Sequence, residues 1–263
     1  MIGIFDSGVG GMTVARAVEK VNPSCPIIYY GDLARTPYGS KSPETIIKYS
    51  RQNTEFLLSK GAKLIIIACN SASSVASEVL RKEFAVPIFE VITPAVHKVL
   101  ATSENGRIGV IGTRATIKSD IYNRQIKDGA PDFKVFSQSC PLLVPLVEEG
   151  WLDHRETKMI VRRYLHPLKL KKIDTLVLGC THYPLLSNLI RHRVGKRVKV
   201  IDSSEAVALE LQQYLEANPD LAAELSCDIA SSFYASDVTD AAIATAKRIF
   251  GRNIDLIKVD PYC

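Results

Sequence analysis

Short β-branched runs alternate with amphipathic stretches along nearly the whole chain, the pattern of parallel sheets covered by helices. Residues 2–5, 26–30, 63–68, 88–92, 107–111, 134–136, 175–178, 199–201 and 232–234 read as strands, and helices fill most of the gaps. After the first strand, Val14, Ala17, Val18 and Val21 recur at helical spacing and give that segment one apolar face. The next helix carries its own punctuation: Ser42 is placed to cap it, Pro43 to open it, Glu44 to face its positive end and Gly61 to end it. Thr93-Pro94 opens another helix in the same way, and Asn105-Gly106 turns the chain into the strand at 107–111.

The pattern repeats. Ile2-Gly3-Ile4-Phe5-Asp6-Ser7 is echoed by Ile108-Gly109-Val110-Ile111-Gly112-Thr113. Downstream of each, an apolar strand runs into a cysteine and then small polar residues: Ile66-Ile67-Ala68-Cys69-Asn70-Ser71 and Val177-Leu178-Gly179-Cys180-Thr181-His182. Cys69 follows Gly3 by 66 residues and Cys180 follows Gly109 by 71. The expected fold is α/β, with two similar domains, each a mostly parallel sheet covered by helices, and a site in the cleft between them. The expected division is 1–93 plus about 208–263 for the first domain, the chain returning to it at the end, and 94–207 for the second.

Composition narrows the setting. A chain of 263 residues with 46% hydrophobic and 23% charged residues is ordinary for a globular enzyme. The longest apolar run, Leu64 to Cys69, is too short to cross a bilayer, and no basic stretch precedes the first strand, so no membrane association or export is expected. The net charge of +5 comes from 33 basic residues dispersed among 28 acidic ones, which argues against nucleic acid as a partner. Six cysteines in a chain this long, in a reducing cytoplasm, are expected to be free thiols.

In open α/β sheets ligands bind beyond the carboxyl ends of the strands, where Cys69, Cys180 and Asp6 fall. One strand-end cysteine is more often inert than reactive. Two at equivalent positions in two halves fit a stereoinversion, in which one group removes a proton and the other donates one from the opposite face. Cys25, Cys140, Cys227 and Cys263 lack that setting and read as structural or incidental. The glycine-rich turn Asp6-Ser7-Gly8-Val9-Gly10-Gly11 could cradle a phosphate, let backbone pass close to a ligand, or be a plain tight turn, and Asp6 at the strand end favours a site; it has neither the nucleotide P-loop nor the dinucleotide pattern. No paired metal-ligand spacing accompanies Cys180 and His182, so no metal is expected. His182 reads as a satisfied loop histidine or as an ionisable neighbour of Cys180, and Glu148 and Glu149 as a solvated helix end or a carboxylate facing the cleft.

Several motifs in order then resemble the glutamate racemases of the aspartate/glutamate racemase family over nearly the whole chain. They are Gly3 through Gly11, Tyr30-Gly31-Asp32 with Pro37-Tyr38-Gly39, Ala68-Cys69-Asn70-Ser71-Ala72-Ser73, Pro145-Leu146-Val147-Glu148 and Leu178-Gly179-Cys180-Thr181-His182-Tyr183-Pro184. The resemblance implies Cys69 and Cys180 as the two acid/base residues, Cys69 acting on D-glutamate and Cys180 on L-glutamate, with Asp6, Glu148 and His182 as ionisable helpers. It implies that Asp6, Ser7, Pro37, Tyr38, Gly39, Asn70, Ser71, Thr181 and His182 bind the amino acid. It further implies no cofactor, a homodimer, and a role in supplying D-glutamate for bacterial peptidoglycan. The family usually has threonine where this chain has Ser71, and the hydroxyl is kept. Rival readings are a racemase for aspartate or a hydantoin, a non-catalytic amino-acid-binding protein, and a cysteine redox switch.

Overall fold

A computed structural model describes residues 1–225 and 229–260. The chain runs β1 (Ile2–Asp6), α1 (Met12–Val21), β2 (Ile27–Gly31), 3-10 turns at Leu33–Arg35 and Tyr38–Ser40, α2 (Pro43–Ser59), β3 (Leu64–Ile67), α3 (Asn70–Glu83), β4 (Ile88–Glu90) and α4 (Ile92–Thr102). It continues through β5 (Arg107–Gly112), α5 (Arg114–Lys118), α6 (Ile121–Gly129), β6 (Lys134–Ser139), α7 (Leu143–Glu148), α8 (Arg155–Leu170), β7 (Thr175–Gly179), a 3-10 turn at Tyr183–Leu186, α9 (Ser187–Val194) and β8 (Lys199–Asp202). The last elements are α10 (Ser203–Ala217), α11 (Pro219–Leu225), β9 (Ser232–Ala235), α12 (Asp240–Phe250) and β10 (Leu256–Lys258).

The strands form two sheets, ordered β10-β9-β2-β1-β3-β4 and β6-β5-β7-β8. Every pairing is parallel. The fold is therefore the expected α/β pair of helix-covered parallel sheets. Each sheet is sandwiched between two apolar layers: α1, α10 and α12 on one face of the first and α2 and α3 on the other, α7, α8 and α9 against one face of the second and α4 and α6 against the other.

The internal echo has a physical counterpart. A Cβ on Gly3 would lie 2.8 Å from Ala62 and 2.9 Å from Ile65, and one on Gly109 would lie 2.6 Å from Ile173 and 3.0 Å from Leu176. In both halves a glycine on the opening strand lets the next strand and its preceding helix pack close. β1 pairs with β2 on one side and β3 on the other, and β5 likewise with β6 and β7. The chain order reverses at these strands, so a crevice opens beyond their carboxyl ends, where β3 and β7 deliver the two cysteines.

Most strand ends fall within a residue of the expected bounds, and three features depart further. The strand expected at 88–92 stops at Glu90, whose buried carboxylate accepts from the Ile92 and Thr93 amides at 2.5 and 2.9 Å, so α4 begins at Ile92 rather than at Thr93-Pro94. β6 runs on through Ser137, Gln138 and Ser139, polar residues held by pairing with Val110, Ile111 and Gly112. β10 was not expected: it is a three-residue edge strand, half exposed, with one neighbour to bury against. The α2 punctuation holds: Ser42 accepts from the Thr45 amide and Gly61 has φ +91°. Cys227 and Cys263 lie outside the described residues.

Candidate active site

β3 ends at Ile67, and Cys69 stands at the N-cap of α3 with extended dihedrals. The helix start aims the Ala72 amide back at the sulfur. The thiol is 5% exposed and lies 3.7 Å from Ser7 Oγ. Asp6, at the end of neighbouring β1, is fully buried and accepts from the Gly8 amide at 3.0 Å and from Thr181 Oγ1, in the other half, at 3.3 Å.

In the second half, β7 ends at Gly179 and Cys180 leads into the Thr181-His182 turn. His182 Nδ1 lies 3.9 Å from Cys180 Sγ. On its far side, Nε2 is 3.3 Å from Glu148 Oε1, an ion-pair contact without hydrogen-bond alignment. Glu148 is the last residue of α7, and the next residue, Glu149, faces solvent, so the two acids left open by the sequence part ways here.

The two thiols sit in different electrostatic settings. Burial pushes Cys69 up to about 12, and the Asp6 carboxylate adds to the shift, so its proton is held firmly. Burial also raises Asp6, against the pull of His182 and its hydrogen bonds. For His182 burial works against the imidazolium, yet the contacts with Cys180 and Glu148 outweigh it and raise the group to about 10. The Cys180 side thus carries a cation and the Cys69 side an acid pair.

Both cysteines line one small cavity of about 20 Å³. Ser7, Pro37, Tyr38, Gly39, Asn70, Ser71, Thr181 and His182 line it too. Asp6 and Glu148 are outside that lining, behind Cys69 and His182. A larger cavity of about 560 Å³ opens between α1, α10 and α12, where Arg16, Lys20 and Arg248 meet Asp202 and Glu205. It contains neither cysteine, so chemistry rather than size locates the candidate site. Among the described residues no group of three or more histidine, cysteine or acidic side chains is placed to hold a metal ion.

The glycine-rich turn resolves as a close approach between the halves. A Cβ on Gly10 would lie 2.4 Å from His182 Nδ1 and 2.6 Å from Thr181 Oγ1, and Thr13 Oγ1 just beyond donates to the Thr181 carbonyl at 3.1 Å.

With the site in view, a family model described as Asp/Glu/Hydantoin racemase matches residues 12–211. The chain belongs to this racemase family. Among curated members, the glutamate racemase of Persephonella marina is 52% identical over 212 residues, 81% of each chain. Among solved structures, a glutamate racemase isoform from Bacillus anthracis superposes with a TM-score of 0.92 at 34% identity, covering 99% of this chain and 97% of that one. The glutamate racemase of Francisella tularensis, solved in complex with D-glutamate, gives 0.90 at 34% identity with the same coverage.

Against this racemase fold, sequence reasoning missed Thr113, Thr36 and Val144 in the cavity wall. Thr113 had a signal: the echo sets it where Ser7 stands in the first half. It caps α5 and reaches across to Ser71 Oγ at 2.8 Å, and a Cβ on Gly39 would lie 2.6 Å from it. Val144 sits on the buried face of α7 and carries no pattern that separates it from core.

Proposed function

We propose that this chain interconverts L- and D-glutamate by proton transfer between Cys69 and Cys180, without a cofactor. The observation that carries the reading is that two free cysteines, at equivalent strand ends of two similar halves, line one cavity. Racemisation needs a proton acceptor on one face of the α-carbon and a donor on the other. Glutamate, rather than aspartate or a hydantoin, is supported by the names of the similar racemases and by the D-glutamate bound to the Francisella relative.

In the L-to-D direction Cys180, beside protonated His182, takes the α-proton, and Cys69, whose proton is tightly held, delivers one from the other side. In the D-to-L direction Cys69 gives its proton up first, and Asp6 is the neighbouring carboxylate assigned to receive it. Ser7, Pro37, Tyr38, Gly39, Asn70, Ser71, Thr181 and His182 are assigned to hold the substrate, and Thr113 joins them. Amides and hydroxyls in this set suit two carboxylates and the charge that develops on the α-carbon. The proposed domain division is 1–93 plus about 208–263, and 94–207; pairing of β9 onto β2 supports the return to the first sheet. The wider reading is a cytoplasmic homodimer that supplies D-glutamate for peptidoglycan. No helix among the described residues is long and apolar enough to cross a membrane.

The test is incubation with L-glutamate in heavy water under reductant, following optical rotation and deuterium at the α-carbon. Wild-type protein should lose rotation and gain deuterium, and Cys69→Ala and Cys180→Ala should each lower racemisation by about 10²–10⁴-fold or more. Sustained racemisation in both single variants would sink the two-base mechanism. Neither change in the wild type, with aspartate also inert, would favour an amino-acid-binding protein.

A further inference from the structure

Asn70 follows Cys69 directly and lines the cavity, yet its carboxamide is held by the opposite half of the molecule. The Tyr122 hydroxyl, from α6, donates to Asn70 Oδ1 at 2.7 Å. Asn70 Nδ2 approaches Ser203 Oγ, on the first residue of α10, at 3.5 Å, and Ser203 Oγ donates to the Leu178 carbonyl at 3.3 Å. The direction of this chain is fixed at its far end. A backbone carbonyl only accepts, so Ser203 spends its hydrogen there and must accept from Asn70. The nitrogen of Asn70 therefore faces Ser203 and the oxygen faces Tyr122.

Tyr122 touches both cysteine turns. Its hydroxyl is on the residue after Cys69, and its ring edge lies 3.3 Å from where a Cβ on Gly179, the residue before Cys180, would stand. The side chain is 2% exposed. Burial pushes the phenol well above its ordinary value, with Glu90, Cys180 and Asp202 adding to the effect, so the hydroxyl keeps its hydrogen at any working pH.

The geometry points to Tyr122 as a positioning residue that sets the orientation of the Asn70 carboxamide, so that the second N–H of Asn70 is presented to a substrate carboxylate in the cavity. Without the hydroxyl, the amide loses the partner that holds its oxygen away from the ligand. An amide turned over would aim an acceptor at a carboxylate and repel it. The inference rests on the racemase reading and extends it to a residue that does not line the cavity.

Tyr122→Phe keeps the ring against Gly179 and removes the donor alone. KM for both glutamate enantiomers should rise about tenfold, the worth of one buried hydrogen bond, with kcat changed less than about threefold. A general loosening of the fold would not give that split. Asn70→Ala should raise KM by itself, and adding Tyr122→Phe should raise it no further, because the tyrosine acts only through the amide. Ser203→Ala gives a second entry to the same cycle should Tyr122→Phe fold poorly: about a threefold rise in KM, absent when Asn70 is already alanine. Wild-type KM in Tyr122→Phe, or independent multiplication of the two effects in the double variant, overturns the assignment. A wild-type protein that does not turn glutamate over would instead remove the racemase reading beneath it.

Discussion

A buried imidazole stays protonated only when its contacts outweigh its desolvation, and for His182 those with Cys180 and Glu148 do. Free histidine titrates near 6.5, and the folded group is raised to about 10. The stabilisation from holding this proton is complete below about pH 6.5 and is lost as pH rises through about 10. Melting curves of the wild type and His182→Asn, from pH 6 to above 10, should show a wild-type advantage that shrinks over that window; a pH-independent difference would contradict the assignment. Cys69 and Cys180 were legible because apolar strands deliver each into small polar residues, a local pattern that a single sequence displays. Glu148 was named by the family resemblance alone; the residue pattern left it level with Glu149, because what separates the two is the rotation of one helix end, which carries Glu148 to His182 and Glu149 to water.

At the scale of elements, the turn between β1 and α1 works with the turn after β7 as one piece. Gly10 leaves no room for a methyl against His182 and Thr181, so Gly10→Ala must displace one turn from the other. Both flank the proposed acid/base groups, and a shift of about 1 Å in such a group can cost about 10²-fold. Gly10→Ala should therefore lower kcat/KM by roughly that factor while circular dichroism still reports a folded α/β protein. Wild-type kcat/KM would show that the turns slide apart without consequence. Sequence alone left this turn open between a phosphate cradle, a close approach to a ligand and a plain tight turn; its packing against the other half was not legible, because the residues it meets lie about 170 positions further on. Buried strands and capped helices were legible from periodicity; β10 was not, because an edge strand with one partner needs no full apolar pattern.

For the molecule as a whole, the cavity between the cysteines, at about 20 Å³, is large enough for a water and far too small for an amino acid. If glutamate reacts there, the halves must separate to admit it and close again. The chain crosses between the sheets where β4 passes into α4 and where β8 passes into α10, so a small change at each crossing can open the cleft without disturbing either core. The polar contacts around the site that opening would break are few: Thr13 with Thr181, Thr181 with Asp6, Ser71 with Thr113 and Thr116, and Asn70 with Tyr122 and Ser203. At about 1 kcal/mol net for each, they set a cost of several kcal/mol, within reach of substrate binding. Hydrogen exchange should therefore report two behaviours. Amides of the turns at 7–12 and 181–183 should exchange faster without ligand and slow on addition of D-glutamate, while those of β1, β3, β5 and β7 stay protected throughout. Equal protection of the turns with and without D-glutamate, in a protein that racemises glutamate, would mean that substrate enters by local side-chain movement and that the halves stay closed.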